Sequence, residues 1–176
     1  MRALGPGSVS SFLKIILDVV FFALWIGVVA VGLMMLAALM FSFNPELLDD
    51  ITISTGDAEV AARGPFLLGG LLAMSLYLAG VLVIVERLRR IFATLTAGDP
   101  FHPDNVRRLR VIGLVLAGLE VGRYVMWGVG SWILPGAEID RPEFSLTAWF
   151  SVLVVFVLAE VFREGARLRR EAELTI

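Results

Sequence analysis

Glu120 and Arg123 stand three residues apart inside a run, 111–134, that carries no other charge. On a helix that spacing puts both side chains on one face. If the run crosses a bilayer, an unpaired charge near its centre costs at least about 2.5 to 3.5 kcal/mol, so each needs a partner. Two chemistries fit this intramembrane polar pair: a buried polar switch or proton site, or an ion pair that fixes helix register. The second is favoured. Asp18, Ser75, Tyr77, Glu86, Tyr124 and Glu160 are the further polar residues able to join it.

The other concentration of chemistry is RLRRIFATLTAGDPFHPDNVRRLR, residues 87–110, which holds Arg87, Arg89, Arg90, Arg107, Arg108 and Arg110. Arginines at a membrane surface neutralise headgroup phosphates, each gaining about 1 kcal/mol near an anionic leaflet. They also make a docking surface for a cytosolic protein, and the two roles can coexist. Between them lies a turn built from Gly98, Asp99, Pro100, Phe101 and Asn105. The lone His102 sits between two prolines and reads as a surface residue rather than a base or a ligand.

Catalytic signatures are missing. The chain contains no GxSxG, HExxH, phosphate-loop or dinucleotide fingerprint. It has no cysteine, which removes disulfides, thiolate catalysis and Cys-held metals. The acids of the first connection, NPELLDDITISTGDAEVAARGP, lack the spacing of a cation-binding loop. No enzyme, cofactor or metal site is expected, and no catalytic residue is assigned.

The elements that must position these groups follow from composition. A chain of 176 residues with 58% hydrophobic and 18% charged residues reads as one membrane domain, 1–176. Its mean hydropathy of +0.85 is too high for a soluble domain of this size. Residues 19–43 and 65–85 are uncharged throughout, each long enough to cross about 30 Å of hydrocarbon. With flanking residues the four spans run over about 12–43, 65–86, 111–134 and 144–162. A cytoplasmic helical hairpin, 87–110, and a cytoplasmic tail, 163–176, complete the chain. The first apolar run far exceeds that of a cleavable signal peptide.

Direction follows from Lys and Arg in the short connections. Arg2, Lys14, the six hairpin arginines and Arg163, Arg167, Arg169 and Arg170 fall on one side. The first and third connections hold only Arg63 and Arg141, beside eight acids. Both termini are therefore expected in the cytoplasm.

Finer patterning predicts the packing. Leu88, Ile91, Phe92 and Leu95 form one apolar stripe, and Val106, Leu109, Ile112 and Leu116 form another. The second helix should run from Pro65 to about Ala97 and end at Gly98, with Pro103 opening the third. Glu160 with Arg163, Glu164 with Arg167 and Arg167 with Glu171 are spaced for pairing along the tail. Gly118 and Gly122, Gly69 and Ala73, and Ala23 and Gly27 are small-residue pairs suited to close packing within the chain, or to a homo-oligomer. Alternation at 51–54 and the Gly56–Asp57 turn signal allow a small β-hairpin in the first external loop. The expected fold class is an all-α integral membrane protein: a four-transmembrane-helix bundle with a helical extension between helices 2 and 3.

The run GDPFHPDNVRRLR, the apolar span after it and the tail VFREGARLRREAELTI resemble a bacterial family of small four-span membrane proteins. That family is largely without assigned function and is known mainly by a domain-of-unknown-function label. The likeness is clearest at Gly98, Pro100, Phe101, Asn105, Arg108, Leu109, Arg110, Phe162, Gly165, Leu168, Leu174 and Thr175, while Arg170 departs from the acidic residue expected there. Members are often encoded beside a short Cro-type helix-turn-helix regulator. The resemblance thus implies a component of the bacterial inner membrane that binds or restrains a cytosolic transcriptional regulator, as a membrane partner or sensor. The alternative is a small transporter or channel component working through Glu120 and Arg123. Direct nucleic-acid contact is not expected, because the phospholipid bilayer already accounts for arginines placed there.

Overall fold

The computed structural model describes residues 9–42, 52–55, 58–61, 64–133 and 140–174. Four helices, α1 (Val9–Ser42), α2 (Gly64–Thr96), α3 (Pro103–Ile133) and α4 (Leu146–Glu173), account for most of them. In hydrocarbon every backbone N–H and C=O must be bonded internally, and a helix does that within one segment.

Three of the helices contain stretches long and apolar enough to cross a membrane: Phe12–Met40, Leu68–Thr96 and Leu146–Ala172. On α1 the side chains of Phe22, Ile26, Leu33 and Met40 are each well over half exposed. Water would penalise so large an apolar surface, and lipid accepts it. This is a membrane protein by helix length and composition. The fourth helix, α3, is 31 residues long but falls outside that apolar class. Asp104, Arg107, Arg108 and Arg110 occupy its first turns, and Glu120 and Arg123 interrupt the apolar run that follows.

Between α1 and α2, β1 (Thr52–Thr55) pairs antiparallel with β2 (Ala58–Ala61), Thr52 opposite Ala61 and Thr55 opposite Ala58. The Gly56–Asp57 turn lies outside the described residues, as do Arg2, Arg63 and Thr175.

The helices are shared between two compact units. One comprises Met1–Leu24, Gly80–Gly118 and Ser145–Ile176; the other comprises Trp25–Ala79 and Leu119–Phe144. In the first, Ile91, Leu109, Ile112 and Ala159 are buried together, with Leu88, Leu95, Leu116 and Phe162 packed around them. The two apolar stripes therefore do meet, and α4 covers them with a third side that the stripes alone did not disclose. Close backbone approach occurs at Gly113, where an added Cβ would stand 3.0 Å from the Phe156 ring.

The small-residue pairs are a correction. Gly118, Gly122 and Gly69 have no atom within 4 Å of where a Cβ would be, so they do not mediate close packing among the described residues. In the second unit Gly27 makes only ordinary contact with Leu78, at 3.9 Å.

Candidate functional site

The α2–α3 turn is shaped by its glycine. Gly98 has φ +82°, the one positive φ among the described residues, a conformation that costs a side chain but not a hydrogen. It lets Gly98 N donate to Leu95 O at 3.1 Å and Asp99 N donate to Thr94 O at 3.0 Å, which satisfies the last carbonyls of α2. Pro103 opens α3, where its missing N–H is no loss. His102 turns out to be a helix cap: its Nδ1 accepts from Asp104 N at 3.2 Å.

Asn105 holds the turn together. It is completely buried and its carboxamide uses both ends. Nδ2 donates to Thr94 Oγ1 at 2.8 Å and to Pro100 O at 3.1 Å, while Oδ1 accepts from Arg108 Nη1 at 2.9 Å. Arg108 Nη1 also donates to Arg90 O at 3.0 Å. The end of α2, the turn and the start of α3 thus share one network.

The turn then docks on α4. The Phe101 and Phe162 rings lie 5.8 Å apart, tilted by 52°. Phe101 sits over Gly165 so closely that a Cβ there would fall 2.5 Å from the ring. Asp99 forms an ion pair with Arg169 beside this contact.

Within this frame the six arginines separate into two sets. Arg89 donates through Nε to Asp18 Oδ1 at 2.6 Å and lies 4.2 Å over the Phe21 ring, fastening α1 to α2. Arg90 pairs with Glu86, and Arg108 is engaged by Asn105 and stands 3.8 Å from Asp104. Arg87, Arg107 and Arg110 have no such partner among the described residues, and the Nε of Arg87 is buried as well.

In the second unit Glu120 and Arg123 do come together. Arg123 Nη2 donates to Glu120 Oε1 at 2.7 Å and to the Glu143 carbonyl at 2.8 Å. Tyr124 Oη donates to the same Glu120 oxygen at 3.1 Å. Glu120, only 9% exposed, is therefore neutralised within its own helix, and Arg123 ties α3 to the segment before α4. Of the expected partners only Tyr124 joins. Asp18 is taken by Arg89, Glu86 by Arg90 and Glu160 by Arg163, while Ser75 donates to Leu71 O in its own helix. The Glu143 contact is made by a backbone carbonyl, which no side-chain pattern could have indicated.

The tail pairs are present as spaced: Glu160 with Arg163, Glu164 with Arg167 at 2.7 Å and Arg167 with Glu171 at 3.4 Å. All are substantially solvated, so each contributes little. The family described as protein of unknown function, DUF2975, matches residues 19–176. No curated protein and no solved structure matches the chain.

Proposed function

The chain belongs to the DUF2975 family of proteins of unknown function, and from its own geometry we propose that it is a non-enzymatic membrane partner of a cytosolic regulator. The arginine-bearing turn and the tail of α4 are the surface that binds or restrains that protein. One observation carries this reading: the buried Asn105 network fixes the backbone beside Arg107 and Arg110, which have no partners among the described residues. A collar for headgroups needs only charge, whereas recognition needs side chains held on a rigid frame.

The distribution of Lys and Arg supports a cytoplasmic position for the turn and both termini, in the inner membrane of a bacterium. It also requires α3 to be the fourth crossing. Phe101, just before α3, packs on Gly165 near the C-terminal end of α4, and the chain must then return to the N-terminus of that helix. Thirty-one residues at ~1.5 Å each are long enough to recross. The short helix-turn-helix regulator that the family resemblance places beside such proteins is the partner this surface suits. The transport reading gains no support from a Glu120–Arg123 pair whose bonds run to Tyr124 and the adjoining loop.

The test is co-purification from native membranes with the adjacent short regulator. Reversing two charges of this surface, Arg110→Glu beside the turn and Arg170→Glu in the tail of α4, should lower recovery of the regulator about tenfold, at ~1.4 kcal/mol per decade, with membrane insertion unchanged. Undiminished recovery would remove the docking surface from consideration.

A further inference from the structure

Arg87 on α2 and Arg107 on α3, both without a partner among the described residues, open onto the same cleft of about 240 Å³. Arg90, Arg108, Asp104 and Val111 complete its lining. Four arginines and one carboxylate thus line one small space, with Arg90 paired to Glu86 at its edge. Asp104 belongs to the first turn of α3, where a carboxylate offsets the helix's own positive end, and it stands 3.8 Å from Arg108. Glu86 and Asp104 offset Arg90 and Arg108, which leaves the charges of Arg87 and Arg107 for an anion to meet.

The Nε of Arg87 adds an independent sign. It is a buried donor without an acceptor, on a side chain that is charged at every physiological pH. Such groups are costly to leave unmet, and a bound oxyanion would meet this one. The cleft is smaller than the roughly 300–1,000 Å³ that whole small-molecule ligands occupy, and suits a single phosphate group. Its position agrees. Arg87 follows the uncharged stretch of α2 that ends at Val85, and Val111 begins the uncharged stretch of α3. That border is where headgroup phosphates lie.

We propose that this cleft is a phosphate-binding site. Arg87 and Arg107 grip the oxyanion with the paired donors that suit guanidinium to phosphate. Arg90 and Arg108 add charge from positions set by Glu86 and Asn105. The phosphate is carried either by a lipid headgroup or by a free small anion. Arg110, also without a partner among the described residues, does not line the cleft and has no part in it. The site shares Arg107 with the proposed docking surface but does not rest on that reading, and it does not depend on membrane orientation, since both leaflets present phosphate.

The experiment uses the full chain in two settings. In phosphatidylcholine nanodiscs with or without phosphatidylglycerol, native mass spectrometry reads the lipid retained. In dodecyl maltoside, thermal melting reads the response to inorganic phosphate. Arg87→Gln and Arg107→Gln should each weaken binding about tenfold, the worth of one charge-assisted contact, while Arg110→Gln leaves it unchanged. Retention of phosphatidylglycerol without a response to phosphate identifies a headgroup; a response to phosphate in detergent identifies a free anion. Arg107 is exposed, so its variant reports even if Arg87→Gln disturbs folding. The site is overturned if Arg110→Gln weakens binding as much as the other two, if Arg107→Gln leaves binding intact, or if neither setting shows binding.

Discussion

Asn105 is the residue on which the turn depends, because a buried carboxamide must find partners for a donor end and an acceptor end at once. Here Thr94, Pro100 and Arg108 supply them. The change to Asp keeps the shape and reverses one end. A carboxylate would suit Arg108, and the Thr94 hydroxyl could rotate to donate, but the Pro100 carbonyl would face a second oxygen with no hydrogen between them. We expect Asn105→Asp to cost about 1–3 kcal/mol, the usual cost of a buried polar atom stripped of its partner. Thermal melting in detergent measures the loss, and hydrogen exchange should place it at the end of α2 and the start of α3. An unchanged melting temperature would show that the network contributes nothing. In the sequence Asn105 is visible as a turn residue; its importance comes from being wholly buried and bonded to Thr94 and Pro100 from earlier in the chain.

At the scale of elements, the turn is attached to α4 by shape more than by charge. The Asp99–Arg169 pair is partly solvated, and such pairs are worth about 0–1 kcal/mol. Phe101 instead fills the space left open by Gly165, in a contact with no room for a methyl group. Gly165→Ala should therefore destabilise the protein by about 1–3 kcal/mol, as overpacking does, and expose the turn to protease. Gly118→Ala should be neutral or mildly stabilising, since open space surrounds that position and Ala is the better helix former. Equal melting temperatures for the two variants would contradict the docking. These glycines also mark where sequence reasoning stops. Gly118 and Gly122 have the spacing of a packing motif and meet nothing among the described residues, while Gly165 and Gly113 have no motif and are each closely approached by an aromatic ring. Spacing reports which residues share a helix face; only the partner helix decides whether that face is covered. The stripes around Ile91 and Leu109 were legible because they are long and regular. The division of the arginines was not, because Asp18 reaches Arg89 from 71 residues away.

For the whole molecule the open quantity is the number of crossings, and α3 decides it. Three helices qualify by apolar length alone, which would leave the termini on opposite faces. The charge distribution asks for both on one face, and only a crossing α3 provides that. The two charges within its apolar run do not forbid this. Glu120 and Arg123 neutralise each other, and the Glu143 carbonyl takes a further hydrogen from Arg123, so the insertion penalty of two bare ions is not incurred. Because the chain has no cysteine, single introduced thiols can report on each end of α3 without background. Ala97, in the turn before α3, and Asp140, in the segment after it, are both exposed. With an impermeant maleimide on intact cells, Asp140→Cys should label at once and Ala97→Cys only after the inner membrane is opened. If both label together, α3 does not cross. If the order is reversed, the arginines face outward and the regulator must be sought elsewhere.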